Sequence, residues 1–350
     1  MFGFSVFLTE EITEQRNSYI KKMAALGFSG IFTSLHIPEE NTAVYQNRLQ
    51  QLGAKAKELQ LNLMVDISGN ALEEAGFSLE RIGELKQIGV TGLRMDDQIS
   101  MEQIANASHQ LKVALNASTL SEQDIQKLQN YQAEFSNLEA WHNYYPRPET
   151  GLDQDWFDQK NQWLKKFGFN IQAFVSGDGE KRGPLHEGLP TLEKHRYQHP
   201  LSSALNLDVD LVYIGDGDIA FETQKQFSLY INEQKILLHV VPHDEQIHLV
   251  LGEHVNRMDE ARDVIRSAAA RFNKPKFVPP LPLKEREIGA VTIDNVKYLR
   301  YMGEIQLVKH SLPADDKVNV VGYVIEEDHS LLMRIKAGTK FILESVKNYE

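Results

Sequence analysis

A short apolar run ending in polar residues, preceded by an amphipathic stretch and a glycine, recurs along the first two thirds of the chain. Leu26-Gly27-Phe28-Ser29-Gly30-Ile31 is one copy, Ile88-Gly89-Val90-Thr91-Gly92-Leu93 a second and Phe167-Gly168-Phe169-Asn170-Ile171 a third. A glycine at that place fits the position after a helix end, where φ is positive and a Cβ would clash. Four further apolar runs, Leu61–Ile67, Leu111–Asn116, Leu138–Asn143 and Val209–Gly215, keep the order without the glycine. The N-terminal run Met1–Leu8 lacks a basic leader and a small-residue cleavage site, so it reads as a first strand. Between the runs, apolar positions follow the helical period. Ile12, Tyr19, Ile20, Met23 and Leu26 share one face, and Tyr45, Leu49, Leu52, Ala56 and Leu59 share another. Ser78 reads as an N-cap, Ser100 with Gln103 as a capping box, and Trp156, Trp163, Leu164 and Phe167 as a helix packed through its aromatics. Eight strands alternating with helices before residue 220 predict a parallel sheet with right-handed crossovers, closed as a (β/α)8 TIM barrel. An open doubly wound sheet is the alternative, but no Gly-rich dinucleotide loop follows the first strand.

The pattern changes near residue 235. Lys235–Val241, Ile247–Leu251, Ala290–Ile293, Glu304–Lys309, Val318–Ile325 and Phe341–Ser345 read as short strands, with one helix at Asp259–Arg271 and a Pro-rich connector at Pro275–Pro282. The expected organisation is a barrel domain over 1–234 and a small antiparallel β-barrel over 235–350.

Composition narrows the function. The net charge of −12 argues against nucleic acid and anionic membrane as partners, and requires a locally basic pocket for any anionic substrate. The chain has no cysteine, which excludes disulfides and thiolate metal sites. No apolar run approaches a membrane span, and the expected location is cytoplasmic.

In a barrel the strand ends supply the chemistry. They carry Glu10, then Ser34, His36 and Glu39, then Asp66, Ser68 and Asn70, then Arg94, Asp96 and Asp97, then Asn116 and Ser118. Strand six runs into Trp141-His142-Asn143-Tyr144-Tyr145-Pro146-Arg147-Pro148-Glu149-Thr150-Gly151, whose aromatic faces and hydrogen-bonding groups suit a sugar ring. Lys181 and Arg182 lie in a Gly-rich loop after strand seven, where barrels bind phosphate through backbone N–H groups and a basic side chain. Arg94, Arg147 and Arg196 would add positive potential at the same mouth. The adjacent Asp96 and Asp97, with Asp66, are the candidate catalytic carboxylates. A divalent ion held by His36, Asp66, His142 and an aspartate after strand four, as in a metal-dependent sugar-phosphate isomerase, is a competing arrangement, though no local ligand motif supports it. Asp216-Gly217-Asp218 is too short for a calcium loop.

Three segments, Gly92–Asp97, Trp141–Leu152 and Arg182–Glu193, together resemble the MupG-type 6-phospho-N-acetylmuramidases, and the resemblance spans the whole chain. It implies a barrel joined to a cyclophilin-like β domain. It also implies cleavage of N-acetylmuramic acid 6-phosphate–N-acetylglucosamine in peptidoglycan recycling, with no metal or nucleotide cofactor. On this reading the enzyme retains anomeric configuration. Asp96 orients the 2-acetamido group so that its carbonyl oxygen attacks the anomeric carbon, and Asp97 is the general acid, with the order of the two open. A direct two-carboxylate mechanism using Asp66, Glu149 or Glu10 is the rival. Arg147, Lys181 and Arg182 are the expected anion contacts, and His142 and Asn143 would hold hydroxyls or the acetamido group. His36, Arg94, Asn116, Glu149, Thr150 and Arg196 complete the expected substrate contacts. The C-terminal domain could cap the mouth or mediate a homodimer, and a non-catalytic sugar-binding protein is the reading from another class.

Overall fold

The structure, a computed structural model, describes residues 1–9, 11–35, 42–67, 71–74, 77–95, 98–272 and 275–346. The chain divides into two compact units, Met1–Gln224 and Lys225–Glu350.

The first unit is a closed parallel barrel of β1 (Phe2–Ser5), β2 (Gly30–Ser34), β3 (Asn62–Ile67), β4 (Gly92–Met95), β5 (Lys112–Asn116), β6 (Leu138–Trp141), β7 (Asn170–Val175) and β8 (Leu211–Ile214), each hydrogen-bonded to the next and β8 to β1. The glycine-stopped pattern is the reason for its regularity. Gly89 ends the helix Ile82–Ile88 with φ 108°, and its N–H returns to the carbonyls of Leu85 and Lys86. Gly53, in the helix Thr42–Glu58, lies so close that a Cβ there would stand 2.0 Å from the Ile88 carbonyl oxygen. Helix starts follow side-chain capping. Ser100 and Gln103 form the expected capping box, and Ser121 with Asp124 forms another. Ser78 caps a single 3-10 turn, Leu79–Arg81, ahead of the α-helix. In the helix Gln154–Lys165 the buried side chains are Phe157, Asn161 and Leu164. The expected aromatic packing is therefore corrected at Trp156, which lies next to the buried Phe157 on the solvent side and is 42% exposed.

The barrel interior is packed by Phe32, Met64, Ala114, Trp141, Phe174, Leu211 and Tyr213, with Tyr144 on top of them. Tyr213 of β8 crosses the neighbouring strands where they carry no side chain. A Cβ at Gly3 would meet its ring at 2.2 Å, and one at Gly30 would meet its hydroxyl at 2.2 Å. This aromatic floor closes the barrel beneath its C-terminal rim.

The second unit holds a nearly closed sheet of β9 (Lys235–Pro242), β10 (Gly252–Val255), β11 (Val264–Arg266), β12 (Ala290–Asp294), β13 (Ile305–Val308), β14 (Val318–Val324) and β15 (Lys340–Ser345), ordered β10-β15-β9-β14-β12-β13-β11. Three expectations are corrected here. The sheet is mixed, because β9 and β15 run parallel. Ile247–Leu251 is not a strand: Asp244 caps a 3-10 helix at Glu245–Leu249, and the strand begins at Gly252. Asp259–Arg271 is not one helix but β11 followed by the short 3-10 turn Ala269–Arg271. Its charges pair locally, Asp259 with Arg257 and Asp263 with Arg262, while the β-branched Val264 and Ile265 pair with β13.

Candidate active site

Strand register brings the first group of side chains together. Ser34, Asp66 and Arg94 occupy one row across β2, β3 and β4, so all three point to the same side of the sheet. Asp66 accepts from Ser34 Oγ at 3.1 Å through one carboxylate oxygen and from Arg94 Nη1 at 2.6 Å through the other. The second terminal nitrogen of Arg94 donates to Asn143 Oδ1, from the segment that follows β6. Arg94 is buried and forms an ion pair with Asp66. Asp66, Arg94 and Asn143 thus form one hydrogen-bonded set.

The second group sits across the mouth. Tyr144 rests edge-on against Phe32 and Phe174, with ring centroids 6.3 and 5.2 Å away. Its phenol oxygen accepts from Arg182 Nη1 at 3.1 Å. The Arg182 guanidinium lies 3.6 Å from the centroid of the Phe7 ring, in the loop after β1. Lys181 Nζ stands 5.2 Å from the ring of Tyr197.

The loop after β7 is tied down differently from the expectation. Asp216, at the end of β8, is fully buried, and its carboxylate accepts from the backbone N–H groups of Gly177 at 2.9 Å and of Arg182 and Leu189 at 3.1 Å. Burial pushes its carboxyl above the usual range, against those three bonds. The backbone N–H groups of Gly177, Arg182 and Leu189, in the loop where many barrels bind phosphate, are here taken by the protein's own carboxylate.

Arg196, expected to add positive potential at the mouth and to contact the substrate, is placed as a structural pin. It is buried, and its guanidinium donates to both oxygens of Glu193 at 2.7 and 2.6 Å, to Gly188 O at 3.0 Å and to Arg147 O at 3.2 Å. Glu193 also accepts from the N–H groups of Glu149 and Gly151, at 2.9 and 2.7 Å. Arg196 beside it, with those two N–H groups, holds the Glu193 carboxyl down at about 2. The pair joins the loop after β6 to the loop after β7. Glu149 and Thr150 belong to that turn: Thr150 Oγ1 donates to Arg147 O at 2.7 Å, and the side chains of Arg147 and Glu149 are exposed.

His142 is corrected as well. It points away from the mouth into the layer between β6 and its helix, bonded to Asn161 Oδ1 at 2.7 Å and 4.6 Å from the Phe157 ring centroid. Burial lowers its pKa to about 4. Asn116 closes β5 and accepts from Ser118 N at 3.0 Å, turning its oxygen toward its own loop. Asp96, Asp97, His36, Glu10, Glu39, Ser68 and Asn70 lie outside the described residues; Asp96 and Asp97 follow β4 directly in the chain. Of the ligands expected for a divalent ion, the two described ones do not converge, since His142 faces the helix layer while Asp66 faces the mouth, and no group of three or more candidate ligands occurs among the described residues.

Residues 2–229 match the sequence profile of the 6-phospho-N-acetylmuramidase N-terminal domain, and residues 233–344 match that of its C-terminal domain. The chain belongs to the 6-phospho-N-acetylmuramidase family. It is thus a glycosidase family member, and the family name implies a phosphorylated sugar substrate. Two solved structures are similar over nearly the whole chain. One, a conserved protein of unknown function from Enterococcus faecalis, is 49% identical with a TM-score of 0.93, over 99% of this chain and 97% of its own. The other, an uncharacterized Bacillus cereus (B. cereus) protein, is 27% identical with a TM-score of 0.75, over 99% of both chains. No curated protein matches the chain. No helix among the described residues is long and apolar enough to cross a membrane.

For a 6-phospho-N-acetylmuramidase, the residues most easily overlooked are Tyr144, Phe7 and Asp216. Tyr144 lies inside the aromatic segment after β6, where parity separates it from Asn143. Phe7 is part of the first apolar run, but β1 ends at Ser5 and leaves it at the mouth. Asp216 carries no sequence signal beyond its place after β8.

Proposed function

We propose that this protein hydrolyses the glycosidic bond of N-acetylmuramic acid 6-phosphate–N-acetylglucosamine, releasing the 6-phosphosugar and N-acetylglucosamine, in the recycling of peptidoglycan. The observation that carries the reading is the mouth itself, where a fixed carboxylate, a partly exposed aromatic ring and a cationic side chain meet in one family of 6-phosphosugar glycosidases. The catalytic residues lie within 1–234, and 235–350 forms the second domain.

The adjacent carboxylates after β4 do the chemistry. Asp96 holds the 2-acetamido group, whose carbonyl oxygen attacks the anomeric carbon as the bond to the leaving oxygen breaks; Asp97 gives that oxygen its proton. Water then opens the cyclic intermediate with Asp97 as base, and configuration is retained. Asp66, fixed by Ser34 and Arg94, is the nucleophile of the rival two-carboxylate route. Asn143 and Lys181 contact the substrate beside them.

Product analysis on the disaccharide with and without its 6-phosphate tests the substrate, and equal cleavage of both would end the case for a phosphate pocket. Asp97→Asn is expected to slow substrates with poor leaving groups far more than activated aryl glycosides. Equal losses on both would remove the acid role from Asp97, and D66N identifies the rival route by its own loss on both.

A further inference from the structure

Two of the four candidate arginines at the mouth are already occupied, Arg94 by Asp66 and Asn143 and Arg196 by Glu193 and two carbonyls. Arg182 is different. Its backbone is anchored to Asp216, its guanidinium lies over Phe7, and its side chain donates a single hydrogen bond, to Tyr144. No carboxylate pairs with it among the described residues, in a chain whose net charge is −12. No described residue accepts from its Nε or Nη2, which form the edge of a planar fork suited to phosphate or carboxylate oxygens.

Tyr144 supplies a matching donor. A phenol oxygen that accepts from a guanidinium retains its own proton to give. No acceptor among the described residues takes that proton. Burial raises the phenol above its ordinary range, so it stays protonated at neutral pH. Phe32 and Phe174 fix the ring edge-on from below, which leaves the hydroxyl little freedom of position.

We infer that Tyr144 and Arg182 form one anion cradle, in which the phenol O–H and the open guanidinium edge together hold oxygens of the phosphomonoester, with Phe7 setting the guanidinium plane. Tyr144 is then a specificity-determining residue of the reaction proposed above, on which this inference rests for its substrate. The substrate carries a second anion, the lactyl carboxylate, so the test separates the two.

Tyr144→Phe keeps the ring and removes only the donor. Wild type and variant, both checked by thermal melting, are compared by kcat/KM on three disaccharides: with both anions, with the phosphate alone and with the lactyl carboxylate alone. The expected result is a fall of roughly tenfold or more on the two phosphorylated substrates and little change on the third. A fall that follows the lactyl group instead keeps the anion cradle and reassigns its ligand. Equal falls on all three, or none, overturn it. Calorimetric titration with N-acetylglucosamine 6-phosphate and with N-acetylmuramic acid reads the cradle without turnover. Weaker binding of one of these anions to Tyr144→Phe and to Phe7→Leu supports the cradle even if wild type cleaves no disaccharide, in which case the proposed hydrolysis fails alone. Binding unchanged in both variants overturns the cradle.

Discussion

Asp216→Asn separates the anchoring of the loop after β7 from the chemistry at the mouth. One carboxylate oxygen of Asp216 accepts two backbone N–H groups, from Gly177 and Leu189, and the other accepts that of Arg182. An amide has one acceptor oxygen. Placed toward Gly177 and Leu189 it keeps two bonds and turns an NH2 group toward the Arg182 N–H, donor against donor. A hydrogen bond to a charged group contributes about 1.5–3 kcal/mol, and a buried N–H left without an acceptor costs about 1–3 kcal/mol. The substitution also removes a buried charge whose carboxyl burial already raises, which offsets part of the loss. The balance is a destabilisation of about 1–2 kcal/mol, or a fall in Tm of roughly 2–8 °C for a unit of this size. The lost bond is the one that fixes Arg182, so binding of a 6-phosphorylated sugar should weaken more than binding of its unphosphorylated counterpart. Thermal melting and parallel titrations with the two ligands provide the assay. An unchanged Tm would refute the anchoring role. A lower Tm with both ligands affected alike would show that the position of Arg182 does not depend on Asp216.

Two further outcomes follow from the buried groups around the loops. The His142 pKa falls from 6.5 to about 4 on burial, so below pH 6.5 the unfolded chain takes up a proton that the folded chain refuses, and stability declines between pH 6.5 and 4 by up to about 3 kcal/mol. His142→Gln, which can still donate to Asn161, should flatten that part of a urea-midpoint profile; an unaltered slope contradicts the assignment. Arg196→Lys replaces a two-point fork with a single ammonium and should cost about 2 kcal/mol, the partial exposure of Glu193 being discounted. Because Glu193 is held at about 2, its stabilising contribution is full above the ordinary carboxylate range and is lost as pH falls toward 2. Arg196→Lys should therefore approach wild type in chemical denaturation at pH 2.5, and an equal gap at pH 7 and pH 2.5 would count against the fork.

The barrel was legible because its local and global signals agree. Gly27, Gly89 and Gly168 all take positive φ, at 101°, 108° and 82°, where the sequence places helix ends. The second unit was less legible because its order depends on pairing between distant segments. Nothing local in Lys235–Pro242 or Lys340–Ser345 says that they run parallel. At the mouth, strand parity was the most useful guide. It unites Ser34, Asp66 and Arg94, and along β6 it places Trp141 inside and His142 outside. The chemistry of a histidine hides that second point. Arg196 marks another limit: its spacing of three from Glu193 suits an exposed helical pair, and only tertiary structure buries it beneath carbonyls from two loops.

Tyr213 fills a notch cut by Gly3 and Gly30, so the first two strands are completed by a side chain more than 180 residues later in the sequence. On a growing chain, β1 and β2 emerge long before the ring that packs across them. The barrel interior stays open on that side until the ribosome has passed residue 213. Domains fold largely as units during synthesis, and this one cannot reach its packed interior from its N-terminal half alone. The edges of β1 and β7 that β8 will cover are open during that interval, and a chaperone acting on the nascent protein would engage it before β8 arrives.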